Sequence, residues 1–194
     1  VGPAAAPGLI LVTGGMRSGK SRFAERLAAA AGGQVLYLAT ASASDEEMAA
    51  RIAAHRARRP PGWQTLEARL EVAAAAARYR GRYDVVLLED LGLLTSNVML
   101  QVAAERGAEV ASWADCRARL GGELEALLRA SERARWVVVT NEVGFGLVPS
   151  TPLGRQFVDL LGWANQRLGR AAQRVYLVVA GFAVDVSAIG QPVE

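Results

Sequence analysis

Three residue types that most chains of 194 residues use freely occur here only once. There is one cysteine, Cys116, one histidine, His55, and one lysine, Lys20, although lysine and arginine together number 22. A single cysteine excludes any disulfide within the chain and fits a reducing cytoplasm. Cys116 reads as a structural thiol rather than a nucleophile. Long apolar runs are missing too: none approaches the roughly 18 residues of a membrane span. Residues 1–7 have neither the basic end nor the apolar core of a secretion signal, so 1–8 is expected to be a loose extension. Strong charge is absent. The net charge of +3, with a sequence pI near 9.5, does not argue for nucleic acid. The arginines form no single long stripe, and the tryptophans at 63, 113, 136 and 163 are scattered rather than interleaved with a basic patch. There is no internal repeat, linker or low-complexity tract beyond a richness in alanine.

What remains is globular, with 52% hydrophobic and 21% charged residues, and is long enough for one domain over 9–194. Its clearest motif is Gly14-Gly15-Met16-Arg17-Ser18-Gly19-Lys20-Ser21, which fits G-x-x-x-x-G-K-[ST]. The apolar run Leu9–Val12 precedes it and a helical pattern follows, which is the strand–loop–helix context a phosphate-binding loop needs. Glycines let backbone N–H groups turn toward a phosphate chain, and the helix N-terminus adds partial positive charge. Lys20 would reach the β- and γ-phosphates and Ser21 would hold Mg²⁺. In a chain this biased toward arginine, the one lysine stands where a compact, flexible point charge suits phosphate.

The remaining pattern predicts strands near 35–38, 63–66, 84–90, 136–140, 175–179 and 182–186. Helices are predicted from the S-x-x-E capping box at Ser44 to about Arg58, then over 69–79, 94–105, 113–130 and 152–172. Continuous apolar strands alternating with helices imply an α/β fold, a mostly parallel sheet with helices on both faces. Ligands in such sheets bind beyond the carboxyl ends of the strands. The loops at 14–21, 39–42, 89–90 and 141–149 should therefore share one rim.

Several residues carry two readings. Glu89 and Asp90 close an apolar strand, either as a Walker-B acid placed for Mg²⁺ or as acids capping the strand end. His55 lies among Arg51, Arg56, Arg58 and Arg59. The arginines there either complement a helix dipole or keep the imidazole neutral and clamp a phosphate. Asn141-Glu142 with Gly144 and Gly146, and Thr95-Ser96-Asn97, are each either a substrate loop or plain structure.

Taken together, these segments resemble the bifunctional adenosylcobinamide kinase / adenosylcobinamide-phosphate guanylyltransferase family of cobalamin synthesis, over about Leu9 to Val184. The carriers are Leu11–Gly15 running into Arg17–Arg22, Tyr37–Thr40, Asp45–Ile52, His55-Arg56, Arg59-Pro60, Trp63, Thr65, and Leu87–Glu89 with Thr95 and Asn97. The most specific stretch is Val139–Gly144 continuing Gly146–Pro149, and Asn165-Gln166 closes the match. The resemblance implies a P-loop, RecA-like fold assembling as a homotrimer. It also implies two reactions. The aminopropanol hydroxyl of adenosylcobinamide is phosphorylated from ATP or GTP, and GMP then passes from GTP to that phosphate through a guanylylated histidine, releasing pyrophosphate. His55 matches the guanylylated position and Lys20 the kinase lysine. Nucleotide-contact positions fall on Gly14, Gly15, Met16, Arg17, Ser18, Gly19, Lys20, Ser21, Ala39, Thr40, Ala41, Arg56, Ala57, Arg58, Arg59, Glu67 and Glu89, with Ser21 and Glu89 as candidates for Mg²⁺. Two departures stand out. Ala54 replaces a second histidine found before the reactive one in some members, and Asp90 stands where an uncharged residue is also found, leaving the metal acid open between Glu89 and Asp90. Two other classes compete with this reading: a single-activity P-loop kinase for another small alcohol, with no covalent intermediate, and a nucleotide-dependent switch.

Overall fold

The structure, a computed structural model, describes residues 6–41 and 59–193. The helix expected from the capping box, with His55, Arg56, Ala57 and Arg58, lies outside the described residues. Seven strands form one sheet: β1 (Gly8–Gly14), β2 (Val35–Ala39), β3 (Gln64–Glu67), β4 (Val85–Glu89), β5 (Arg135–Val139), β6 (Arg174–Val179) and β7 (Phe182–Asp185). Their order is β3-β2-β4-β5-β1-β6-β7, parallel throughout except for β7, which runs antiparallel to β6. The described helices are α1 (Lys20–Ala30), α2 (Val72–Ala77), α3 (Leu91–Arg106), α4 (Trp113–Ser131), α5 (Pro152–Ala171) and the single turn α6 (Val186–Ile189).

The two-residue period of a strand divides its side chains between two cores. Ile10, Val12, Val35, Tyr37, Val85, Leu87, Val137 and Val139 pack with Ala24 and Ala28 of α1. Leu9, Leu11, Leu36, Leu38, Val86, Leu88, Trp136 and Val138 pack on the opposite face against α2, α3, α4 and α5. Burial on both faces explains why these strands read as unbroken apolar runs, each buried Leu or Val contributing about 1.5–3 kcal/mol.

The elements depart from expectation where a polar side chain sets the boundary. Helix α3 begins at Leu91 rather than Leu94, because the Asp90 carboxylate accepts from Leu93 N at 2.7 Å and caps it. Helix α2 is shorter than the expected 69–79. Its start is fixed by buried Glu123 of α4, which accepts from Glu71 N at 2.6 Å and Val72 N at 3.3 Å. Helix α5 runs unbroken through Gly154, Gly162 and Gly169. Thr151 caps it, Pro152 opens it, and Leu160, Leu161, Ala164 and Leu168 bury one face. At the other end of the chain Gly8, expected in the extension, is the first residue of β1. Residues 6 and 7 are tied by Arg135 Nε to Ala6 O at 2.7 Å and Gln173 Nε2 to Pro7 O at 3.1 Å.

Candidate functional site: the phosphate loop and the strand ends beside it

Strand β1 lies between β5 and β6, and the chain leaves its carboxyl end as Gly14–Ser21. Two glycines there are required by geometry. A Cβ on Gly14 would lie 2.4 Å from Val178 O and 2.8 Å from Ser18 Oγ, so β6 approaches too closely for any side chain. Gly19, the N-cap of α1, has φ 99°, which L side chains rarely adopt. The loop is also braced from outside: Gly181 N of the β6–β7 turn donates to Ser18 O at 2.9 Å, and Glu142 N donates to Gly14 O at 3.1 Å. Met16 is 79% exposed at its tip, while Ser18 and Lys20 are buried. Lys20 Nζ donates to Gly15 O at 3.3 Å, which holds its ammonium against the loop. Ser18 Oγ and Thr13 Oγ1 are buried without a hydrogen-bond partner, the state expected of groups that face a ligand.

Ser21 Oγ donates to Glu89 Oε1 of β4 at 2.5 Å, joining the first turn of α1 to a strand two places away. Glu89 Oε2 is buried with no partner. Burial, and next the charge of Asp90, push the Glu89 carboxyl up to about 8, against the opposing pull of Ser21 and Lys20. A buried carboxylate with an unused oxygen beside a hydroxyl suits a hard divalent cation that takes its remaining ligands from phosphates and water. Among the described residues no group of three or more His, Cys, Asp or Glu assembles around a metal position. The two adjacent acids make different contacts. Asp90 is committed to Leu93 N as the cap of α3, and Glu89 is the one that meets Ser21.

Thr40, buried at the end of β2, turns its hydroxyl inward. Oγ1 donates to the carbonyls of Glu89 (3.1 Å) and Asp90 (2.9 Å) and accepts from Asp90 N at 2.8 Å, which fixes the β4 end. Asn97 of α3 donates to Thr40 O at 3.0 Å and Arg69 O at 3.1 Å. Thr95 returns its hydroxyl to Leu91 O at 2.9 Å. Thr95 and Asn97 are therefore framework. Arg59 lies over the ring of Tyr37 on β2, its guanidinium carbon 3.4 Å from the centroid, and donates to Thr65 Oγ1 at 3.0 Å. Asn141 O accepts from Asn165 Nδ2 at 3.0 Å, while Asn165 Oδ1 accepts from Thr140 at 2.6 Å. Beyond them Phe145, Leu147 and Val148 are more than four-fifths exposed.

Residues 10–186 match the family described as cobinamide kinase / cobinamide phosphate guanyltransferase. The chain belongs to that family. It is 42% identical over 180 residues to the bifunctional adenosylcobalamin biosynthesis protein CobU of Salmonella typhimurium, covering 92% of this chain and 99% of that one. It is also 42% identical over 184 residues to the protein of the same description, CobP, of Pseudomonas aeruginosa, covering 94% and 98%. Among solved structures it is similar to an ATPase from the type III secretion system of pathogenic bacteria. That likeness has a TM-score of 0.54 at 10% identity and covers 95% of this chain and 58% of that one. It agrees with the RecA-like P-loop architecture of the sheet and extends to fold alone.

Among the positions expected to meet nucleotide in a cobinamide kinase / guanyltransferase, the structure brings Gly14–Ser21 and Glu89 together at the end of β1. Ala39, Thr40 and Ala41 end β2 beside them, with Thr40 N donating to Glu89 O at 3.0 Å. Glu67 ends β3 opposite Ala39 in register, at the sheet's far edge. Sequence reasoning passed over the Gly181 brace and the Tyr37 platform. No motif marks the first, and an apolar strand hides the second as one more core residue. Among the described residues no helix is long and apolar enough to cross a membrane.

Proposed function

We propose that this chain phosphorylates the aminopropanol hydroxyl of adenosylcobinamide and then transfers GMP from GTP to that phosphate. The observation that carries the reading is the contact between Ser21 and Glu89 beneath a glycine cradle that also holds Lys20. In the first reaction the hydroxyl oxygen attacks the γ-phosphorus of ATP or GTP, its proton is lost, and the nucleoside diphosphate leaves. Lys20 and the loop N–H groups neutralise charge building on the phosphoryl oxygens. Ser21 and Glu89 would hold Mg²⁺, which when bound supplies further charge neutralisation. In the second reaction a nitrogen of His55 attacks the α-phosphorus of GTP and pyrophosphate leaves. The corrinoid phosphate then displaces the imidazole, giving adenosylcobinamide-GDP. Arg56, Arg58 and Arg59 would balance triphosphate charge as the P–N bond forms.

Several surface features support the partners in this reading. Phe145, Leu147 and Val148 extend from a loop that starts on Gly14, and their exposed apolar surface suits a large macrocyclic acceptor. Val179, Phe182 and Val184 leave the β6–β7 edge apolar and open, which suits a homotrimer, testable by mass in solution. The buried free thiol of Cys116 fits a cytoplasmic setting.

The test is incubation with Mg²⁺ and GTP labelled at the α- or the γ-phosphate, for wild type and His55→Ala. Retained α-label that is acid-labile, alkali-stable and missing in the variant is the expected result. Transfer of γ-phosphate to the alcohol with no covalent α-label would leave a single-activity P-loop kinase.

A further inference from the structure

Neither reaction by itself accounts for the contact between Arg59 and Tyr37. Tyr37 sits in the middle of β2, is 1% exposed, and is the one aromatic among the fully buried described residues of its otherwise aliphatic cluster, against which Phe23, Trp63 and Tyr176 pack partly exposed. A tyrosine wholly inside such a core usually earns its place through its polar end. Here the face of the ring is also used. The Arg59 guanidinium stacks on it at 3.4 Å from the centroid, and Thr65 of β3 accepts from one corner of the fork. Arg59 Nε is buried without a partner. The side chain is thus pinned on one face and at one corner while a desolvated donor stays unused, an arrangement that costs stability unless an acceptor arrives. Tyr37 pairs in register with Leu87, two residues before Glu89, so the stack lies close along the sheet to the Ser21–Glu89 pair, and the Tyr37 hydroxyl feels the Arg59 guanidinium as well as the Glu89 charge.

We propose that Tyr37 is a positioning residue whose ring fixes the Arg59 guanidinium as a preset anion clamp for the nucleotide's phosphates. This rests on the reading that Arg59 meets GTP during guanylyl transfer. The Arg59 side chain docks onto β2, the strand that ends at Ala39. A guanidinium on a long stem loses much rotamer freedom on binding an anion. Stacking it beforehand on a rigid ring removes that loss and aims its fork. Lysine at 59 would keep the charge but neither the fork nor the flat face.

A double-mutant cycle tests this, with full-length protein, GTP as the varied substrate, and guanylylation and phosphorylation rates measured separately. Tyr37→Leu removes the ring, and its kcat/KM for GTP in guanylyl transfer is expected to fall ~10-fold, through KM more than kcat, in line with a desolvated cation–π contact. Tyr37→Phe, which keeps the ring, is expected to recover most of that loss. Arg59→Ala should fall at least as far as Tyr37→Leu, and the double variant Tyr37→Leu/Arg59→Ala no further than Arg59→Ala alone. Should Tyr37→Leu fail to fold, Tyr37→Met, closer in volume, takes its place in the cycle. Independent, multiplying losses would overturn the positioning role while leaving Arg59 as a nucleotide contact. An Arg59→Ala protein with unchanged GTP dependence would overturn both, because Tyr37 would then have nothing to position.

Discussion

At the carboxyl end of β1 the phosphate cradle is one contiguous run, Gly14–Ser21, whereas at β2 the arginine clamp is put together from Tyr37, Arg59 and Thr65. The first region needs backbone N–H groups in a fixed curve, which only neighbouring residues can supply. The second needs a charged fork on a flat support, and the pairing of Tyr37 with Thr65 brings together strands that are far apart in sequence. The acid at the end of β4 lies between these extremes. Glu89 and Asp90 are adjacent, yet one faces Ser21 and the other caps α3. Neighbours in sequence can do unrelated work, while distant residues can form a single device.

Substitutions at the two acids should separate most widely. Glu89→Gln removes the carboxylate that pairs with Ser21, and we expect phosphoryl transfer to fall about 100-fold with a raised Mg²⁺ requirement, read from initial rates across Mg²⁺ concentrations. Gly14→Ala attacks the contiguous cradle through its closest approach, 2.4 Å from Val178 O. It should cost about 1–3 kcal/mol of stability, measured by denaturant unfolding, together with nucleotide affinity. Asp90→Ala should cost about 1 kcal/mol, a melting shift of ~3 °C, with much of it recovered by Asp90→Asn, which still caps.

A further effect is in pH dependence. Glu89 is raised to about 8, chiefly by burial, so the folded chain holds a proton that the unfolded chain releases above about 4.5. Its contribution to stability is full below about pH 4.5 and is lost as pH rises through about 8. In protein without nucleotide or metal, the melting temperature of Glu89→Gln should therefore gain on wild type across that window. A constant difference would show that Glu89 is ionised throughout.

This contrast also sets how far the sequence could be read. The parallel sheet, the cradle and the position of Lys20 follow from local pattern, because apolar runs and glycine spacing are local properties. Asp90 could not be told from Glu89, since both follow the same strand and only the start of α3 separates their roles. The framework roles of Thr40, Asn97 and Glu123 were beyond reach for a different reason. Each bonds to backbone far along the chain (Glu123 to Glu71 and Val72, Thr40 to Glu89 and Asp90), and no spacing rule encodes that. The expected helix boundaries erred at just these places, at the starts of α2 and α3.

Under the proposed function, the GTP of the second reaction occupies the same cradle at the end of β1 as the nucleotide of the first. The most direct measurement is of both activities in Lys20→Ala: γ-phosphate transfer to the corrinoid alcohol, and α-label retained on protein from GTP. Both should fall, each by about 100- to 1000-fold, as expected when a preorganised donor to phosphate is removed. Loss of γ-transfer with undiminished α-labelling would contradict the shared cradle and require a second nucleotide site away from β1.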